Sequence, residues 1–285
     1  MKTKSLLSRF AFVAGMMFAA GLFAQTPKVE FPAPSPGSTL KQRVGLTDIE
    51  ISYSRPGAKG RPIFGGLVPY GEVWRTGANA RTKVSFSTAV KLGGQDIPAG
   101  TYALFTIPGE TQWTIILNTD TKSSALDYKT NNEVARFTAP VVKLGEHVET
   151  FTILVNNIRD DSATIDLIWD YTCVPIRLDL DLVGQLAPQI DAAMSAPGEK
   201  KPYYQAAMFY FDHGLDLQKA KTWIDAAVQA DATYYVVHLQ AKILAKLGDK
   251  EGAIAAAKRS SELARKAEGA GGYIKLNDDL ISSLN

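Results

Sequence analysis

Cysteine and histidine are scarce in this sequence, and neither sign of charge is in marked excess. Cys173 is the single cysteine among 285 residues, so the chain can form no internal disulfide, and we expect a buried, inert thiol. Lysine and arginine number 31 against 29 aspartates and glutamates. Nucleic-acid binding depends on clustered basic residues that neutralise phosphates. We therefore expect no nucleic-acid partner.

Long apolar runs are also lacking after the N-terminus. The first residues are basic at Lys2, Lys4 and Arg9. An uncharged stretch from Phe10 to Phe23 follows, and then the small residue Ala24. This order is typical of a cleaved signal peptide, whereas a membrane-spanning helix needs about 20 apolar residues. We expect a signal peptide over 1–24 and a periplasmic or secreted protein. It would keep no stable membrane anchor and, with no cysteine at the cleavage site, would not be a lipoprotein.

The next segment is rich in proline, and a long region with strand-like patterning follows it. Pro27, Pro32, Pro34 and Pro36 disfavour both helix and central strand, which predicts an extended leader over 25–39. Between residues 40 and 182 apolar residues alternate with polar ones, and turn residues separate the runs. Many short strands of this kind predict an antiparallel β-sandwich or barrel-like domain over 40–182.

Two runs illustrate the pattern of that domain. Ile49, Ile51 and Tyr53 lie on one face of a predicted strand. A second run of alternating residues extends from Val84 to Leu92, and Gly93-Gly94 then predicts a hairpin turn.

After residue 182 the apolar spacing becomes helical, and it repeats at a shift of 33 residues. Gly214 and Gly248 mark expected helix ends. The corresponding positions are Met208 with Ala241, Ala220 with Ala253, and Ile224 with Ala257. Small residues at this period resemble tetratricopeptide-type helical repeats. We expect an α-helical hairpin-repeat region over 183–285 that presents a surface to a protein partner.

Recognised catalytic motifs are lacking as well. No serine lies in a Gly-x-Ser-x-Gly frame, and His147, His213 and His238 lack the spacing of metal ligands. His213 and His238 fall in predicted helices, where capping or surface roles are favoured. The sequence therefore predicts no cofactor and no metal site, and it favours a protein that is not an enzyme.

Residues 53–83 form an unusual segment that is rich in arginine, glycine and aromatic residues. Six basic residues occur there against the single acid Glu72. Guanidinium groups favour carboxylate or phosphate, and aromatic faces favour sugar rings. The segment is either an ordered connection between strands or a surface for a small anionic or sugar ligand. The candidate ligand-binding residues are Tyr53, Arg55, Arg61, Trp74, Arg75 and Asn79.

Parts of this segment resemble a known family. The stretches 53–57, 63–71, 73–79 and 98–102 read Tyr-Ser-Arg-Pro-Gly, Ile-Phe-Gly-Gly-Leu-Val-Pro-Tyr-Gly, Val-Trp-Arg-Thr-Gly-Ala-Asn and Pro-Ala-Gly-Thr-Tyr. They are similar to the signature of the DUF2911 family over roughly residues 40–182. The resemblance implies an exported β domain, mainly from Bacteroidetes-type bacteria, without an established activity or catalytic residues.

Two functional interpretations and a structural one follow. The leading interpretation is an exported, non-enzymatic protein that binds a ligand or acts as an envelope interaction scaffold. The alternative is a hydrolase that acts on glycans or anionic substrates with residues of the 53–83 segment. An acid–base pair beside Trp74 and Arg75 would favour the hydrolase, and arginine with aromatics alone would favour binding. Complete use of the segment in internal contacts would favour a purely structural role.

Overall fold

A computed structural model describes residues 30–124, 126–198 and 200–284. Within them, ten strands are followed by six helices, which confirms the predicted order of a β region and a helical region. From Ser35 onward the chain forms one compact unit. The predicted signal peptide lies outside the described residues. So does the predicted leader up to residue 29.

The strands form two antiparallel sheets. Strands β1 to β10 span Gly37–Val44, Thr47–Ser54, Thr82–Phe86, Val90–Leu92, Gln95–Ile97, Gly100–Ile107, Gln112–Asn118, Glu133–Pro140, Val142–Asn156 and Ser162–Asp179. The six-stranded sheet has the order β1-β2-β3-β6-β7-β8, and the four-stranded sheet has the order β5-β4-β10-β9. Strand β1 thus begins three residues before the predicted start of the domain at residue 40.

One hydrophobic core lies between the two sheets. Ile51 and Ile115 of the six-stranded sheet share a buried cluster with Leu167 and Ile176 of the four-stranded sheet. Along β2 buried residues alternate with more exposed ones, so each strand turns one face to this core. Of the two predicted architectures, the described residues therefore form the sandwich.

The run from Val84 to Leu92 is divided between the sheets. Val84 belongs to β3 of the six-stranded sheet, whereas Val90 belongs to β4 of the four-stranded sheet. The predicted hairpin at Gly93-Gly94 is confirmed, since β4 pairs with β5 there and both glycines have positive φ. A Cβ on Gly93 would overlap the ring of Phe137, so this turn requires glycine.

Six helices follow the sandwich, and two residues separate β10 from α1. Helices α1 to α6 span Leu182–Ser195, Tyr203–Asp212, Leu217–Ala230, Tyr234–Lys246, Lys250–Lys266 and Gly271–Leu284. The side chains of Asp216 and Asp249 accept hydrogen bonds from backbone amides and cap the N-termini of α3 and α5. These two caps lie 33 positions apart. Gly214 and Gly248 follow the C-cap residues of α2 and α4 and have positive φ, as expected for helix ends.

The helices pack as successive hairpins. Helix α2 contacts α3, and α4 contacts α5. Helix α4 also contacts both α2 and α6. Ala220, Ala253, Ile224 and Ala257 are fully buried, as expected for crossing positions. Met208 differs from Ala241, its expected equivalent, because Met208 is 37% exposed whereas Ala241 is buried. The repeat at 33 residues therefore holds for the second helix of each hairpin and fails at Met208 in the first.

A polar contact joins the helices to the sandwich. The Nε2 atom of His213, the C-cap of α2, lies 3.3 Å from Asp160 Oδ2 in the turn between β9 and β10. Among the described residues, no helix has both the length and the apolar character needed to cross a membrane.

Candidate functional site

The first residues of the 53–83 segment bind the edge strand β9. The Tyr53 hydroxyl accepts a hydrogen bond from the backbone N–H of Ile153 at 2.9 Å. Arg55 donates from Nε to the carbonyl of Phe151 at 3.1 Å and from Nη2 to Thr152 Oγ1 at 2.7 Å. These bonds occupy polar groups that an edge strand would otherwise leave unpaired. Tyr53 and Arg55 therefore connect the end of β2 to β9.

Arg61 and Asn79 bind groups close to the segment itself. Arg61 donates to the carbonyls of Ala58 and Gly57 at 3.0 and 2.7 Å, and its exposed guanidinium thereby closes a local turn. Asn79 donates to the carbonyl of Ser35 at 3.1 Å from a left-handed backbone conformation with φ of 57°. Both side chains thus fix the course of the connection.

Trp74 lies in an aromatic cluster between the sheets. Its ring stacks on Trp169 with centroids 6.0 Å apart and meets the rings of Trp113 and Phe151 edge-on at 6.0 and 5.1 Å. Phe64 meets Trp74 from the same connection at 6.4 Å. Aromatic pairs in such geometries add about 0.5–1.5 kcal/mol beyond their burial. The indole N–H of Trp74 is bonded to the carbonyl of Gly77, so the side chain is engaged internally.

Arg81 is the most buried cation of the segment and anchors a loop. It is 4% exposed and donates to the carbonyls of Asp120, Ser124 and Asp127. Its guanidinium carbon also lies 5.2 Å from the ring centre of Phe105. Hydrogen bonds from Ser123 hold the pKa of Asp120 well below its ordinary value, and Arg81 adds to that effect. Arg81 therefore holds Asp120, Ser124 and Asp127 against β6.

Arg75 differs from the other arginines of the segment. Its Nε atom is buried and has no hydrogen-bond partner among the described residues. Arg55, Arg61 and Arg81 all donate to backbone carbonyls. Buried polar groups normally have a partner, so a buried guanidinium nitrogen without one is a candidate contact for an anion.

The structure brings part of the predicted site together. Tyr53, Arg55 and Trp74 all meet β9 at or near Phe151. Tyr53 binds the backbone of Ile153, Arg55 binds the backbone of Phe151, and Trp74 packs on the ring of Phe151. Arg61 binds its own turn instead. The three guanidinium groups at 55, 61 and 75 therefore have separate surroundings, and Arg75 alone among them has no internal hydrogen bond in the described chain.

A second candidate site lies on the helical region, which we call the tyrosine groove. It is a concave surface of about 280 Å³ to which α2, α4 and α6 all contribute. Its lining residues are Tyr204, Met208, Asp212, Tyr235, His238, Leu239, Lys242, Tyr273 and Leu276. Burial raises the pKa of Tyr204, and the hydroxyls of Tyr273 and Tyr235 add to this shift, as expected for tyrosines that lie close together.

Sequence reasoning missed this groove, although a signal was present. Tyr204 and Tyr235 are each the second residue of their helix, α2 and α4, and Tyr273 is the third residue of α6. Adjacent helices that contact one another bring such positions to one side. Tyr204 and Tyr235 have ring centroids 5.2 Å apart. A tyrosine at the start of every second helix was the pattern that would have predicted the surface.

Comparison with known proteins gives a family and no further relative. Residues 35–178, about half of the chain, match the family model described as "Protein of unknown function (DUF2911)". No curated protein and no solved structure matches the chain. Among the described residues, no group of three or more His, Cys, Asp and Glu side chains is arranged to hold a metal ion.

The contrast between Arg81 and Arg75 gives a testable prediction. Arg81→Met should lower the free energy of unfolding by about 3 kcal/mol, because three carbonyls lose their donor and the Asp120 carboxylate loses its cation. Arg75→Met should change it by less than about 1 kcal/mol, because no internal hydrogen bond is lost. Urea unfolding followed by tryptophan fluorescence measures both. Equal losses in the two variants would contradict this assignment of roles.

Proposed function

Since the chain belongs to the DUF2911 family, whose description names no activity, we propose its function from its own geometry. We propose an exported, non-enzymatic interaction protein that binds a peptide segment of a partner protein in the tyrosine groove. The observation that carries the proposal is the convergence of Tyr204, Tyr235 and Tyr273 from the alternate helices α2, α4 and α6 on one concave surface. Tyrosine is among the residue types that dominate binding energy at protein interfaces.

The arrangement of the helices supports a protein partner. Two helical hairpins with equivalent caps 33 residues apart, followed by a final helix, resemble tetratricopeptide-type repeats. Stacked helical hairpins form concave binding surfaces along their length. A volume of about 280 Å³ is slightly below the range of pockets that enclose a small molecule. It suits one or two side chains of a longer peptide.

Export is supported by the basic start, the apolar stretch from Phe10 to Phe23 and Ala24. We expect the mature protein to begin at or close to Gln25 and to occur in the periplasmic or secreted fraction, as N-terminal mass spectrometry would measure. Met17→Arg, which puts a charge into the apolar stretch, should keep the uncleaved chain in the cytoplasm. A wild-type chain that retains Met1 would contradict export.

The groove is tested by selection from a displayed library of random peptides. We expect the enriched peptides to bind Tyr235→Ala at least about tenfold more weakly than wild type, the loss of a hot-spot side chain. Tyr171→Ala is the matched control, since Tyr171 is 49% exposed on β10 of the sandwich and should leave affinity unchanged. Circular dichroism checks the fold of both variants.

The result that would contradict peptide binding in the groove is equally definite. Either no peptide is enriched on the wild-type protein, or the enriched peptides bind Tyr235→Ala and wild type equally well.

A second candidate function is the binding of a small anion at Arg75. It is supported by the buried Nε atom, which has no partner among the described residues. We place binding before the hydrolase alternative. The Trp74 ring contacts aromatic side chains, and its N–H donates to the carbonyl of Gly77. No acidic or basic side chain takes part in these contacts.

The anion site is tested by thermal shift with carboxylates, phosphates and sugar acids. A ligand should raise the Tm of the wild-type protein and leave the Tm of Arg75→Met unchanged. Arg61→Met is the matched control, since its guanidinium is already bonded to its own turn. A ligand that stabilises wild type and Arg75→Met equally, or a screen without any hit, would contradict binding at Arg75.

A further inference from the structure

We infer that His238 determines the specificity of the tyrosine groove: its Nε2 atom accepts a hydrogen bond from a neutral donor of the bound peptide. This inference rests on the proposed function of the groove. It assigns a hydrogen-bonding role to one atom and a chemistry to the peptide, namely an uncharged N–H or O–H donor with an acidic residue nearby.

A chain of hydrogen bonds fixes the proton on His238. Ser260 Oγ lies 2.7 Å from the carbonyl of Tyr234, which can only accept, so the serine hydroxyl donates there. Asn277 Nδ2 then donates to Ser260 Oγ at 2.9 Å. The other amide atom, Asn277 Oδ1, lies 2.7 Å from His238 Nδ1 and can only accept. Nδ1 therefore carries the proton of the neutral imidazole.

The other ring nitrogen is left as an acceptor in the groove. With the proton on Nδ1, Nε2 of neutral His238 carries a lone pair. Nε2 has no hydrogen-bond partner among the described residues. It is also absent from the buried atoms that lack a partner, so it is accessible to solvent. His238 lines the groove, and its ring meets Tyr273 edge-on at 5.3 Å. A bound peptide can therefore reach this lone pair.

Burial and the charge of Lys242 favour the neutral form of His238. The charged and titratable groups that line the groove with it are Lys242 and Tyr235 of α4, Tyr204 and Asp212 of α2, and Tyr273 of α6, while α5 contributes the uncharged Ser260. Burial lowers the pKa of His238, and Lys242 lowers it further, while the bond to Asn277 acts in the opposite direction. At neutral pH the ring thus stays an acceptor.

Of the two charged residues that line the groove, Lys242 and Asp212, Lys242 is the one whose charge acts on His238. Its Nζ atom lies 4.7 Å from the ring centre of Phe211, and it forms no ion pair with a described residue. A cationic donor at Nε2 would lie near this ammonium and be repelled, so the donor is a hydroxyl, a side-chain amide or a backbone N–H. The unpaired ammonium favours a carboxylate on the same peptide. Exposed Leu276 and Met208 provide apolar contact beside these polar groups.

The sign of the pH dependence follows from this chemistry. Below the pKa of His238, Nε2 gains a proton and can no longer accept a hydrogen bond. Affinity is therefore present above that pKa, which lies below the ordinary value for histidine, and is lost as the pH falls through it.

We call the enriched peptides that bind Tyr235→Ala more weakly than wild type the groove-dependent peptides. The experiment uses those that contain no histidine and measures their affinity for the full mature protein by fluorescence anisotropy between about pH 5 and pH 8. Wild type should lose affinity toward the acidic end. His238→Gln should bind about tenfold more weakly at neutral pH and lose this pH dependence. His147→Gln, the same substitution on β9, is the matched control and should keep the wild-type profile.

A second variant tests the inference without touching the buried network. Lys242→Met removes a charge that lowers the pKa of His238, so the midpoint of the pH profile should move to higher pH. Lys246→Met, one turn further along α4 and outside the groove lining, should leave the midpoint unchanged.

The outcomes separate the two proposals. Groove-dependent peptides whose affinity is flat with pH, or a midpoint that Lys242→Met leaves in place, would overturn the role of His238 while peptide binding stands. Enriched peptides that carry only cationic donors would overturn the assigned chemistry. Only the absence of groove-dependent peptides would overturn the proposed function itself.

Discussion

The sandwich depends on Trp74, which contacts both sheets. Its backbone N–H and carbonyl pair with Thr106 of β6, so the residue continues the six-stranded sheet beyond the end of β3. Its ring stacks on Trp169 of the four-stranded sheet. One residue of a long connection thereby fixes the separation and the alignment of the two layers. The rest of the 53–83 segment is arranged so that this ring reaches the core.

This constraint explains the composition of the segment in physical terms. A long connection between two neighbouring strands of one sheet, here β2 and β3, leaves carbonyls without ladder partners, and arginine supplies several donors in a fixed geometry. Arg61 donates to carbonyls of this connection, Arg55 to a carbonyl of β9, and Arg81 to carbonyls of the loop after β7. An excess of positive charge that suggests an anion site is thus largely used within the fold. Arg75 is the exception that keeps a ligand-binding interpretation open.

The sequence predicts the elements better than their partners. Alternation identifies β2, β6 and β7, because their inner faces are buried against one core. It does not reveal that the run from Val84 to Leu92 changes sheets, since the change breaks no alternation. The capping role expected for His213 is found at the end of α2. His238 shows the other limit: its partner Asn277 is 39 residues away on another helix, beyond any local pattern.

The two regions use their polar groups in opposite ways. In the sandwich, arginine and tyrosine side chains bond to the backbone and complete the fold. In the helical region the buried Asn277 and Ser260 hold a histidine whose second nitrogen stays open. Burying an asparagine is costly unless all its bonds are made, and here those bonds orient a side chain at the surface. Because the family match ends at residue 178, before α1, it covers the region whose polar groups serve the fold. The surface that we propose to bind a partner lies in the part of the chain that the match does not reach.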